Sequence, residues 1–263
     1  MSEELAGPPG GRWRAAARLG GILLWTAGWF VLWGSGALLT LLLRPARLSW
    51  RRFSVHRWAR GVTRLLGMRL RVLGVPPRPP FLLVSNHLSY LDILLLYSCT
   101  SGVFVARRDM RSWPVLGPLA RLMGTIWVRR EVRRDAVRVL ERIAVAITRG
   151  DGVILFPEGT TSSGAEVRPL KPALLEWAAQ SGYPVHTAAL SYRAAPGDPP
   201  AGRALCWWGN MPFGSHAAAV LRLRYFEAQA DFTGEPIAAA NRTELAYRLQ
   251  RVITARFVPV EGA

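Results

Sequence analysis

The chain has 263 residues, with 34 Lys or Arg against 17 Asp or Glu and a formal net charge of +17. That length holds one α/β domain plus a segment at one end, and the charge implies an anionic partner: nucleic acid, a phospholipid surface or a phosphorylated substrate. Cys99 and Cys206 lie far apart without metal-ligand spacing, so neither a disulfide framework nor a zinc site follows from them; both read as small buried side chains in a reducing compartment.

From Leu19 to Leu43 the chain runs 25 residues without a charge, and a helix of roughly 20 residues already crosses a bilayer. "LLLRPARLSWRR" follows the run in place of a small-residue cleavage site, so the segment is kept as a membrane anchor. Trp13, Trp25, Trp29 and Trp33 suit an interfacial helix as well as a spanning one, and Gly28, Gly34 and Gly36 permit a re-entrant bend. Arg12, Arg14 and Arg18 are set against Glu3 and Glu4 before the run. After it, Arg44, Arg47, Arg51, Arg52, Arg57 and Arg60 stand with no acid, so the main domain is expected on the cytoplasmic side of the inner membrane. Residues 46–72 read as a basic amphipathic helix able to lie on anionic headgroups, and "GVPPRPP" then breaks the chain. The expected organisation is an anchor over 1–45, an interfacial helix over 46–74 and a cytoplasmic domain over 75–263.

Short apolar runs then alternate with helical patterns: "FLLV" (81–84), a helix from Tyr90, "VFVA" (103–106), a helix near 113–123, "TIWV" (125–128), a helix from Arg134 to Arg149, and "VILF" (153–156). This order predicts an α/β fold with a mixed, largely parallel sheet flanked by helices. The helix before "VILF" is expected to bury Val137, Leu140, Ile143 and Ile147. "PVHTAAL" (184–190), "ALCWW" (204–208) and "VLRLRYF" (220–226) read as further strands, and Asn241 with Glu244 has the capping-box spacing of a last helix.

Two stretches carry chemistry. In "SNHLSYLD", Ser89 and Asp92 have the spacing of a helix start, which leaves Asn86 and His87 unexplained. A histidine at the carboxyl end of a buried strand is well placed as a general base, and a chain reversal would bring the Asp92 carboxylate to its imidazole. In "VILFPEGTTSSG", Gly159 allows close backbone approach, and Thr160, Thr161, Ser162 and Ser163 offer hydroxyls to an anion; an ordinary capped loop has the same composition.

Together the stretches resemble the lysophospholipid and glycerolipid acyltransferase family, whose first signature, NHxxxxD, is matched by Asn86, His87 and Asp92. Its third, FPEGT, is matched by Phe156 to Thr160. "GTIWVRR" resembles the second signature through Gly124 and Arg130, with Arg129 where an aspartate is usual, and the fourth is matched by Pro184 and Val185 alone. The resemblance covers roughly residues 75 to 195. It implies the glycerolipid acyltransferase fold and transfer of a fatty acyl group from an acyl-CoA or acyl carrier protein thioester to a lysolipid hydroxyl. It implies no cofactor and no metal. His87 would be the base and Asp92 its orienting partner. Asn86, Glu158, Gly159, Thr160, Arg130 and Lys171, the only lysine in the chain, would bind substrate. The expected acceptor is 1-acyl-sn-glycerol-3-phosphate, giving phosphatidic acid. Thr161 and Ser162 replace the arginine many such enzymes carry after FPEGT, and "FPEGTTS" also looks like the variant of enzymes that acylate lyso-ornithine lipid.

Two other classes compete. A membrane-tethered binder of anionic lipid or nucleic acid would use the charge without chemistry, although no nucleic-acid-binding motif is present. A lipid hydrolase would lack its G-x-S-x-G elbow here. His56, His186 and His216 read as surface or satisfied core histidines.

Overall fold

The computed structural model describes residues 11–40, 44–114, 116–129 and 133–263, with the backbone alone at 44, 45, 133 and 134. Its apolar helix α1 (Gly11–Leu39) is long and apolar enough to cross a membrane. It starts early enough to include Arg14 and Arg18, whose guanidinium groups donate to the carbonyls of Arg222 (2.7 Å) and Leu223 (2.6 Å). Much of α1 is zipped to α2 (Arg44–Leu66) by indole N–H groups. Trp29 donates to Ser54 O at 2.7 Å, Trp25 to Trp58 O at 3.0 Å, Trp50 to Trp33 O at 3.1 Å and Trp58 to Thr26 Oγ1 at 3.2 Å. Glycine makes this approach feasible: a Cβ on Gly61 would stand 2.2 Å from the Trp25 ring, and one on Gly36 only 1.9 Å from Trp50. Trp29 is therefore buried in protein at 4% exposure, while Trp25 keeps part of its ring on the outer surface.

The inner face of α2 buries Val55, Trp58, Ala59, Val62 and Leu66 in the core. Arg51 and Arg52 pair with Asp151, and Arg52 also donates to Gly150 O. These two arginines latch α2 to the domain, a correction to the expectation that they face headgroups; the exposed stripe is Phe53, Arg57, Arg60 and Arg64. The interfacial helix was also expected to run to residue 72. It stops at Leu66, and Gly67, at φ +75°, turns the chain into strand β1 (Met68–Leu73).

The remaining strands are β2 (Phe81–Ser85), β3 (Val103–Arg107), β4 (Ile126–Val128), β5 (Gly152–Leu155), β6 (Val185–Ala194) and β7 (Phe226–Asp231). They form one sheet in the order β1-β7-β6-β2-β5-β3-β4, in which only the β6–β7 pair is antiparallel. Strands β2 and β5 are buried along their whole length, as apolar runs covered on both faces require. Alternation sends Phe81 and Leu83 into one core and Leu82 and Val84 into the other. The first core lies under α1, α2, α3 (Leu91–Cys99), α7 (Ala201–Ala204) and α8 (Phe213–Arg222). The second lies under α5 (Arg133–Thr148), α6 (Glu176–Ser181) and α9 (Arg242–Arg256). A short helix α4 (Leu116–Leu122) joins β3 to β4.

Three sequence expectations differ from this arrangement. "ALCWW" is the end of α7 and a loop, not a strand. "VLRLRYF" spans the end of α8, a bend and the start of β7: His216, Val220 and Leu223 are buried at helical spacing, which overrides the apparent alternation. In α5 the buried stripe is Val139, Ile143 and Ile147, while Val137 is 58% exposed, because six residues from 137 to 143 rotate far off one helix face.

Candidate active site

Parallel pairing of β2 with β5 brings the two motifs together. The register sets Val84 beside Leu155, and three residues further along each strand His87 meets Glu158, whose Oε1 accepts from the His87 backbone N–H at 3.3 Å. The chain then reverses, and Asp92, in the first turn of α3 and fully buried, points back at the loop it has just left. Its Oδ2 contacts His87 Nδ1 at 2.7 Å and accepts from the backbone N–H groups of Leu88 (2.7 Å) and Ser89 (3.0 Å). Asp92 therefore binds the imidazole and holds the loop ahead of α3, and it does not cap that helix, since both N–H groups it accepts precede the N-cap at Tyr90. Ser89 does not complete a capping box, since its buried Oγ has no hydrogen-bond partner among the described residues.

The His87 side chain is about one-fifth exposed at 20%. Its ring stacks on Phe156 at 4.0 Å between centroids and 9° between planes, and Phe156 stacks in turn on Phe104. Ser162 N–H donates to His87 O at 3.0 Å, tying the loop after β5 over the histidine backbone. An imidazole fixed through Nδ1 and by stacking has Nε2 left for a substrate proton, the geometry general-base catalysis needs.

Asn86 was expected to bind substrate. It is 1% exposed, and its amide donates to Leu190 O (3.0 Å) and accepts from Leu190 N–H (2.8 Å), so the side chain clamps the end of β2 to β6. Glu158 is buried, and its Oε2 lacks a hydrogen-bond partner among the described residues. Burial raises its carboxyl to about 8; the His87 N–H opposes the shift, nearby Asp92 adds to it, and Arg168 opposes it. Gly159 turns at φ +81°, and a Cβ there would lie 3.1 Å from Lys171 Nζ, so the lysine amine stands over the turn. Thr160 is exposed beside it. Arg130 lies outside the described residues. Among those described, no three His, Cys, Asp or Glu side chains gather as a metal site would need.

The other histidines are engaged away from this dyad: His56 Nδ1 contacts Tyr97 O at 2.9 Å, His186 lies in β6, and buried His216 contacts the Tyr90 hydroxyl and Cys206 O, both at 3.2 Å. His216 belongs to α8. One residue at the dyad has no counterpart in the sequence reading. The Tyr192 hydroxyl donates to Asp92 Oδ1 at 2.6 Å, and Tyr192 lies just past the stretch expected as a strand.

Residues 69–191 match the Acyltransferase family. A lyso-ornithine lipid O-acyltransferase of Rhizobium meliloti (strain 1021) is 37% identical over 231 residues, 79% of this chain and 78% of that protein. A 1-acyl-sn-glycerol-3-phosphate acyltransferase of Neisseria meningitidis serogroup B is 36% identical over 135 residues, 51% of this chain and 53% of the relative. Among solved structures, the 1-acyl-sn-glycerophosphate (LPA) acyltransferase PlsC from Thermotoga maritima shares the fold with a TM-score of 0.62 at 19% identity, covering 91% of this chain and 95% of its own.

Proposed function

The chain belongs to the Acyltransferase family, and from that membership we propose that it moves a fatty acyl group from an acyl thioester, on coenzyme A or acyl carrier protein, to the free hydroxyl of a membrane lysolipid. The observation that carries the chemistry is the His87–Asp92 pair, 2.7 Å apart at the carboxyl end of β2. His87 Nε2 takes the proton as the hydroxyl oxygen attacks the thioester carbonyl; the C–S bond breaks, and the leaving thiolate receives a proton in exchange. Asp92 holds the ring and balances the imidazolium formed. No enzyme nucleophile is required, because the thioester is already activated and the site holds both reactants together. Lys171 over the Gly159 turn, with Arg168 beside Glu158, supplies positive charge for an anionic headgroup.

Two acceptors fit. The phosphate of 1-acyl-sn-glycerol-3-phosphate would meet that charge. Lyso-ornithine lipid is favoured by the similarity that runs over 231 residues and by Thr161 and Ser162, which leave the FPEGT turn without a following arginine. The membrane that supplies the acceptor is the bacterial inner membrane, with the sheet on its cytoplasmic side and α1 lying in the near leaflet, because a helix zipped to arginine-rich α2 cannot cross without dragging it into hydrocarbon. The deciding experiment is transfer of radiolabelled acyl groups from both donors to a panel of the two lysolipids by the full chain in membranes. Transfer to one acceptor identifies it, and release of free fatty acid without any acylated product would overturn the reading.

A further inference from the structure

Strand β6 grips the catalytic loop at two points two residues apart. Leu190 pairs through its backbone with both ends of the Asn86 amide, and Tyr192, whose side chain enters the same core as that of Leu190, as alternate residues do, reaches Asp92 Oδ1. Both Asp92 and Tyr192 are buried. A phenol hydroxyl out of water requires an acceptor, and a buried carboxylate requires donors on each oxygen. Oδ2 has His87 and two backbone N–H groups; Oδ1 has Tyr192.

We propose that Tyr192 is a positioning residue of the acyl transfer: through its hydroxyl it fixes the Asp92 carboxylate and sets how strongly that carboxylate holds the His87 proton, making a Tyr192–Asp92–His87 relay. The inference rests on His87 acting as the base. Donation to Oδ1 draws charge from Oδ2, which moderates the pull of Asp92 on the imidazolium. Burial and the neighbouring Asp92 raise the phenol well above its ordinary value, so it remains a donor throughout the working range. The groups that share this environment are Glu158 after β5, with Arg168 and Lys171 beside it, and Cys206 after α7. Tyr90 in the catalytic loop and His216 on α8 complete the set.

The test uses the full chain in membranes, with acyl carrier protein and coenzyme A donors and the two lysolipids as probes, and His87→Ala as the control for the reading itself. Tyr192→Phe keeps the packed ring and removes the hydroxyl alone. It is expected to lower kcat on the order of tenfold with KM within about twofold, and to move the acid limb of kcat/KM to higher pH, because an unmoderated Asp92 favours the protonated ring. In a cycle with Asp92→Asn, the double variant is expected to lose no more than Asp92→Asn alone. Incorporation of 3-fluorotyrosine at 192 retains the hydroxyl and the fold while strengthening the donor, and should move the limb the opposite way even if Tyr192→Phe folds poorly. A lowered melting temperature with kcat and pH limb unchanged, or additive losses in the cycle, would overturn the proposal. An active His87→Ala control would instead sink the base assignment on which it stands.

Discussion

At Asp92 one carboxylate meets four donors, so any change at this position is felt by the Tyr192 hydroxyl, two backbone groups and the imidazole together. His87 is simpler to question, since its side chain is partly exposed and its ring contacts are Asp92 and Phe156. His87→Ala is expected to lower transfer on the order of 10²-fold or more while circular dichroism and membrane recovery match wild type; turnover near the wild-type rate would remove it as base. Glu158 makes a second prediction through its pKa. A carboxyl raised from its ordinary value to about 8 holds a proton in the folded chain that the unfolded chain has lost. Glu158 therefore costs stability increasingly as pH rises from about 4.5 to 8. Glu158→Gln removes that cost, so its melting temperature should gain on wild type as pH rises from 5 to 8, and a constant difference would place the proton elsewhere. The dyad was legible because its two residues are five apart and a single reversal joins them. Tyr192 was not, because its approach depends on β6 lying beside β2, a long-range pairing that no local pattern encodes.

Among the elements, the α1–α2 zipper and the α2 stripe call for separate tests. Trp29 donates to Ser54 O while 4% exposed. Trp29→Phe should cost about 1–2 kcal/mol, from the lost hydrogen bond and the space left by the smaller ring, read as a lower melting temperature in detergent. A neutral result would mean that water reaches the zipper. Arg57, Arg60 and Arg64 are exposed on α2, as is Arg47 nearer its start, whereas Arg51 and Arg52 are held by Asp151. Replacing Arg57, Arg60 and Arg64 with glutamine should weaken co-sedimentation with anionic vesicles by roughly 1 kcal/mol per charge and leave activity in neutral micelles near wild type; unchanged sedimentation would restrict these charges to orienting the helix. The same division explains what sequence pattern could convey. The stripe Phe53, Arg57, Arg60 and Arg64 repeats at helical spacing and is readable as a face. The latch is not, since Asp151 lies about a hundred residues further on in the turn that feeds β5. "ALCWW" misled for a related reason: an apolar run signals burial, and Trp207 packs near Tyr90 and Phe213 without joining any strand.

The alternation of strands and helices from residue 81 to 156 gave the parallel half of the sheet directly, because each buried strand is a continuous apolar run. The position of α1 did not follow from hydropathy, which measures only how well a helix suits hydrocarbon. Its packing on α2 makes a topological prediction: a cysteine introduced for Trp13, at the far end of α1 from the domain in sequence and 84% exposed, should react with a membrane-impermeant maleimide in inverted vesicles and not in intact cells. Labelling in intact cells would mean that α1 crosses the bilayer. The sheet order has a further consequence, one of timing. β1 is made early, yet its neighbour is β7, so the strand at Met68 waits until Phe226 has left the ribosome before its first hydrogen bond can form. By then α1 and α2 have long been free to reach a bilayer. Throughout the delay, Arg69 and Arg71 keep a charge at every second position of a strand with two open edges, which discourages it from pairing with another nascent chain.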